Sequence, residues 1–223
     1  MKKITLFISS VVALAACNNA PDADKAGTTD AQVVASAEGT AYVIDSSTTL
    51  TWTGAKPTGT HAGTFKVTEG SLIVDGNSLT GGGFTIDVNS LNNTDLAGDA
   101  ENKGKLEGHL KSPDFFDVAK YPTAKFEITS VEPFIALTDS SSTKVKTADA
   151  THIIKGNLTL KDSTKNISFP ANVAITANSA TANADFNIDR TQWGMNYKGP
   201  NNPQDWVIDK EVNIKIALSA TKK

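Results

Sequence analysis

Strict period-two alternation runs through most of this chain and leaves few folds open to it. Ala124, Phe126 and Ile128 alternate with Lys125, Glu127 and Thr129. The same one-faced pattern recurs at Leu50 and Trp52, at Phe65 and Val67, and at Leu72 and Val74. It returns at Phe84, Ile86 and Val88, at Ile154, Gly156, Leu158 and Leu160, and from Ile167 to Ile175. Ala180 to Ile188 and Val212 to Leu218 complete the series. Side chains two apart share a face of a strand, so each segment presents one apolar and one wet face. Turn residues punctuate the runs, notably Asp75-Gly76-Asn77 and Lys161 to Thr164, and Gly81 to Gly83 marks a bulge or bend. Glu101 to Leu110 is the one expected helix, weakened by two glycines. The implied fold is all-β: an antiparallel sheet of about eight or nine strands with one short helix, closed into a barrel to hide its edges.

A barrel of about eight strands is either filled by its own side chains or holds one slender ligand. Ala180, Ala182, Ala184 and Gly156 are small residues on the inward phase and favour a cavity. The alternative is that they face large residues opposite and the core is solid. Trp52, Phe65, Phe84, Phe126, Phe169 and Phe186 share the inward phase and are the candidate lumen residues. Phe115 and Phe116, after the Ser112-Pro113-Asp114 turn, are expected to cap one end and Trp193 the other. Asp189 and Arg190 are expected to form a buried or rim ion pair. Ala136 to Ala150 reads as an exposed, dispensable loop.

The N-terminus has its own logic. Lys2 and Lys3 precede a short apolar run that ends in Leu14-Ala15-Ala16-Cys17. This run is too short to span a bilayer and reads as a secretory leader. Its end resembles a bacterial lipobox, which makes Cys17, the chain's one cysteine, the lipid-anchored first mature residue bearing palmitate-type chains. The alternatives are an ordinary signal peptide or a buried thiol. Loss of the leader removes two lysines and no acids, taking the net charge from -3 to about -5. Membrane attachment would therefore come from acyl chains and not from charge. The expected organisation is a leader over 1–16, the lipidated cysteine with a flexible tether over 17–40, and a barrel domain over 41–223.

The chemistry on offer is sparse. No basic block exists, so nucleic acid is not an expected partner. His61, His109 and His152 lack metal spacing, and no metal or cofactor is expected. There is no G-x-S-x-G elbow and no phosphate-cradling glycine loop. His61 and His109 either meet a polar head group at the barrel mouth or serve as hydrogen-bonded structural residues.

Four segments together resemble the YceI-like family: HLKSPDFFDVAKYPTAKF from His109, GNLTLKDSTKNISFP from Gly156, IDRTQWGMNY from Ile188 and DKEVNIKIAL from Asp209. The resemblance covers roughly Tyr42 to Ala220. One departure is Glu107-Gly108, where the family usually has an Arg-Asp pair before the His-Leu. The resemblance implies a lipocalin-like barrel of the bacterial periplasm that binds polyisoprenoids or related lipids. On that reading Trp52, His61, Phe65, Phe84, Phe126, Phe169, Phe186 and Trp193 contact a long apolar lipid, and the protein sequesters or transports it in the cell envelope without catalysis. It would be anchored to a membrane through Cys17, facing the periplasm or the cell surface; a homodimer is left open. The alternatives are an envelope stress or assembly factor that works by protein contacts with a filled barrel, and a lipid-ester hydrolase.

Overall fold

A computed structural model describes residues 20–135, 145–147, 149–199 and 207–223. Cys17 and the leader lie outside the described residues, as does most of the loop from Ala136 to Ala150. In chain order the elements are β1 (Asp24–Lys25), β2 (Gly27–Asp30), β3 (Thr40–Ile44), β4 (Thr49–Lys56), β5 (Gly59–Asp75) and β6 (Ser78–Asn93). The helix α1 (Ala100–Lys111) follows, then β7 (Thr123–Pro133), β8 (His152–Leu160), β9 (Ser163–Ile175) and β10 (Ser179–Asp189). A 3-10 turn (Arg190–Trp193) and β11 (Glu211–Lys222) complete the chain.

Eight antiparallel strands, β4 to β11, pair in sequence order, and β11 returns to β4 to close a barrel. β3 pairs with β11 and β5 beyond the start of β4. The up-and-down order puts α1, the β4–β5 hairpin and the start of β11 at one end. The β5–β6 and β9–β10 turns lie at the other. The expected bulge is present: pairing shifts register between Ile73/Gly81 and Val74/Leu79. Gly82, at φ +125, sits where an added Cβ would strike the Ser71 carbonyl, so only glycine fits there.

α1 has no fully buried residue; Leu106, His109 and Leu110 face the lumen, and polar contacts fix its ends. Asp99 caps it by accepting the Asn102 N–H at 3.1 Å, and Glu107 accepts the Asn93 N–H at 2.7 Å. Such a helix is weak alone and depends on the sheet edge beneath it.

The N-terminal segment corrects the flexible-tether expectation over 17–40. β1 runs parallel to β10 at Phe186 and Asn187, while β2 runs antiparallel to β9 from Lys165 to Ser168. β9 and β10 pair with each other only from Asn172/Asn183 to Ile175/Ala180. Residues 24–30 therefore fill the space where these two strands part. The segment has no apolar period because hydrogen bonds, not apolar burial, hold it. Thr147 also departs from the exposed-loop expectation: it is buried, and its N–H donates to Asp24 at 2.7 Å.

Candidate functional site

The inward faces of the eight barrel strands do not meet. They surround a cavity of about 420 Å³. Leu72 and Leu79 line it towards the β5–β6 turn, and Phe115, Phe116 and Tyr197 line it at the α1 end. A belt of phenylalanines crosses its wall. Phe84 and Phe126 have centroids 5.5 Å apart, Phe126 and Phe169 are 5.8 Å apart, and Phe169 stacks on Phe186 at 4.0 Å.

Seven of the eight residues expected to contact lipid line this cavity: Trp52, His61, Phe65, Phe84, Phe126, Phe169 and Phe186. Trp193 does not. It is 1% exposed and packs within the wall, its Nε1–H donating to the Leu158 carbonyl at 3.0 Å. The 3-10 turn after β10 swings the indole back into the wall, so Trp193 closes neither end of the lumen. The roof over the α1 end is aromatic instead. His109 stands edge-on to Phe115 at 5.2 Å and to Tyr197 at 4.7 Å, and Phe116 meets Phe65 edge-on at 5.5 Å.

The small residues divide. Ala182 and Ala184 line the cavity and leave it room. Gly156 leaves none, because the Phe126 ring lies directly over its Cα.

Each of the two candidate histidines has its own carboxylate. His61 Nδ1 lies 2.8 Å from Asp95 and His109 Nε2 3.0 Å from Asp114. Burial pushes the Asp95 carboxyl up, but the Ala62 N–H, His61 and Asn93 bonded to it outweigh that and hold it below the usual carboxylate range. Both rings line the cavity at the α1 end while fixed from behind.

Arg190 corrects the expected ion pair. Its guanidinium is buried and donates to four main-chain carbonyls among the described residues: Asp209 at 3.1 Å, Ile208 at 3.0 Å, Tyr197 at 3.1 Å, and Met195. Asp189 turns instead to Thr191 and to Lys210, 3.1 Å away. Desolvation lowers the Arg190 pKa, and the nearby Asp189 and Asp209 charges partly restore it. A planar fork of donors suits four carbonyls in a way that a single ammonium does not. Arg190 thus fastens the loop that carries Met195 and Tyr197 across the lumen.

Sequence reasoning missed Met195, Tyr197, Lys56 and Lys198, which also line the cavity. Met195, Tyr197 and Lys198 lie in an aperiodic Gly/Pro/Asn-rich loop, while Lys56 shares the inward parity of Leu50 and Trp52 and is hidden by its charge. Among the described residues, the charged or titratable lining side chains are Lys56, His61, His109, Arg190, Tyr197 and Lys198, all at the α1 end, with no carboxylate among them. Trp52 Nε1 is the one buried side-chain nitrogen or oxygen without a partner among the described residues. Also among the described residues, no three His, Cys, Asp or Glu side chains are placed to share a metal ion.

A closed barrel with a single apolar lumen and a roofed, cation-bearing end defines a lipocalin-like class of protein. Within that class the chain belongs to the YceI-like domain family, whose model matches residues 42–220. A second match, over residues 1–18, is the prokaryotic membrane lipoprotein lipid attachment site, which marks the chain as a lipoprotein; Cys17 lies within the matched stretch. A UPF0312 protein of Pseudomonas putida is 35% identical over 109 residues, 49% of this chain and 47% of that protein. One from Pseudomonas savastanoi is 46% identical over 66 residues, 30% of this chain and 28% of that protein. The chain thus spans half or less of the length of these curated relatives. Among solved structures, Burkholderia cenocepacia BcnA superposes with a TM-score of 0.59 at 21% identity, covering 80% of this chain and 99% of that one. A polyisoprenoid-binding domain from Saccharophagus degradans, implicated in plant cell wall breakdown, gives 0.58 at 18% identity, covering 82% and 99%. These two likenesses establish the shared fold.

Proposed function

We propose that this lipoprotein binds an elongated apolar lipid, a polyisoprenoid or similar chain, inside its barrel and sequesters or carries it within the cell envelope. The observation that carries the reading is the cavity of about 420 Å³, walled by aliphatic and phenylalanine side chains and polar only at the α1 end. Each buried methylene of a bound chain contributes about 0.8 kcal/mol. The head group lies at the α1 end, where Lys56 and Lys198 stand without an acidic neighbour among the described lining residues. That end suits a head that accepts hydrogen bonds or carries negative charge. The polyisoprenoid-binding domain named among the fold neighbours supports the same ligand class. The protein acts as a carrier without catalysis, held to a membrane by acylated Cys17 and facing the periplasm or the cell surface. The rival reading, a protein-contact factor with a filled barrel, lacks the solid interior that it requires.

Native mass spectrometry of the lipidated protein, purified in mild detergent, tests this. A noncovalent lipid adduct that is lost on denaturation is expected. Long-chain isoprenoid alcohol added at a hundredfold excess over Kd should stabilise the protein by about 2.7 kcal/mol, roughly 5–10 °C in Tm. No co-purifying lipid and no shift with any long-chain lipid would overturn the reading.

A further inference from the structure

The barrel wall has one place where two neighbouring strands do not touch. β9 from Ser163 to Ala171 and β10 from Ala184 to Asp189 have no pairing with each other, and residues 24–30 stand between them. Neighbouring strands lie about 4.8 Å apart, so an inserted strand roughly doubles that gap. Behind it, Phe169 and Phe186 reach across and stack at 4.0 Å, both on the lumen side.

The inserted segment is attached unlike any barrel strand. Its apolar contribution is two alanines, Ala23 and Ala26. The rest is polar. Asp24 accepts from the Lys146 and Thr147 N–H groups, Lys25 pairs with Glu211 at 2.5 Å, and Lys165 pairs with Asp30 at 2.9 Å. Its side-chain partners on the flanking strands are polar too. Asn187 donates to the Pro21 carbonyl at 2.9 Å, and Asn157 exchanges hydrogen bonds with the Gln32 main chain at 3.0 and 2.7 Å. Asparagines uncovered by its departure meet water without an apolar penalty, and only Ala23 and Ala26 leave the core with it, so this segment separates at lower cost than an apolar barrel strand would. Upstream, Cys17 is seven residues from Asp24, a span of at most about 25 Å. The anchor therefore holds this seam close to the bilayer surface.

From these observations we infer that the β9–β10 seam is a lateral portal through which the alkyl chain of a membrane lipid passes into the lumen, with the strand over residues 24–30 as its gate. The inference rests on the lipid-binding reading above and adds the route. The gate strand withdraws, the Phe169–Phe186 pair parts, and the chain slides in sideways while its head stays at the α1 end. The roof made by Phe115, Phe116 and the Arg190-fastened loop stays in place throughout.

A disulfide tests this. A Cβ built on Gly27 lies 3.7 Å from the Ser168 Cβ, within the ordinary separation for a disulfide of about 3.5–4.5 Å. The full lipidated chain carrying Gly27→Cys and Ser168→Cys is reconstituted into vesicles of phosphatidylethanolamine and phosphatidylglycerol that contain cis-parinaric acid. Energy transfer from the tryptophans, with Trp52 in the lumen wall, reports loading. Oxidised protein is expected to load about tenfold or more slowly than the same protein after reduction, with the same end point and no loss of Tm. Equal rates in the two states would overturn the portal and leave lipid binding standing, with loading through the α1 end. No energy transfer in either state would overturn lipid binding and the portal together. Failure of the pair to oxidise would show the strand undocked and would also overturn the inference.

Discussion

Gly156 offers the sharpest test of how the lumen is shaped. A Cβ placed there would overlap the Phe126 ring, with Cε2 2.6 Å away, and would also meet the Glu127 carbonyl oxygen at 2.8 Å. Carbon atoms pack at about 3.5–4.0 Å, so the ring would have to retreat by roughly 1 Å. Phe84 and Phe169 flank it at 5.5 and 5.8 Å, and Phe169 is itself pressed against Phe186. Its free direction is the lumen. Gly156→Ala is therefore expected to cost about 1–3 kcal/mol of overpacking strain and to lower Tm by about 2–12 °C. It should also weaken binding of long chains by narrowing the cavity. Calorimetry reads the first effect and lipid titration the second. Gly104→Ala is the control: α1 leaves open space at that position, so the same substitution should gain about 0.5–1 kcal/mol. An unchanged Tm for Gly156→Ala would refute the seating of the ring over the glycine.

Arg190→Lys should loosen the roof, at a net cost of about 2–4 kcal/mol once relief of guanidinium desolvation is set against four lost carbonyl bonds. Faster hydrogen exchange confined to residues 194–199 and 207–209 would show it, whereas Asp189→Asn should leave that region unchanged. The two tryptophans should respond differently to Phe. Trp193→Phe removes the hydrogen bond to the Leu158 carbonyl and should cost about 1 kcal/mol more than Trp52→Phe, which removes an unpartnered N–H, as judged by denaturant midpoints. Asp95 is held below its ordinary pKa, so its contribution to stability is full above about pH 4 and is lost as pH falls through the lower folded value. Asp95→Asn should therefore flatten that acid limb in a plot of Tm against pH and leave the neutral region parallel to wild type.

Much of this architecture could be read from spacing alone because barrel strands bury one face only. Phe126 and Phe169 sit on an uninterrupted alternation, and their place in the lumen follows from parity. Gly156 shows where parity stops: it is inward as expected, yet a ring leaning along the neighbouring strand occupies its space. Side-chain lean is not encoded in a period of two. Trp193 and Arg190 fail for another reason. They sit on a 3-10 turn and bond to carbonyls of a loop, so their direction depends on backbone geometry that composition does not reveal. The segment over residues 24–30 is the extreme case. Asp24, Lys25, Gly27, Thr28, Thr29 and Asp30 read as a tether because what orders them is hydrogen bonding and ion pairing with residues more than a hundred positions away.

That polar segment bears on the size of the lumen as well as its access. A barrel's width grows with the number of strands around it. This one has eight strands near the β9–β10 turn, but at the level of Phe186 the inserted segment makes a ninth. Nine strands in place of eight lengthen the circumference by about an eighth and enlarge the cross-section by roughly a quarter. The wider level carries the stacked Phe169–Phe186 pair and lies towards the cationic α1 end, where a lipid head needs more room than its tail. An apolar ninth strand would widen the barrel equally but would fuse into the core. A ninth strand made of Asp, Lys, Gly and Thr widens it while remaining separable from it.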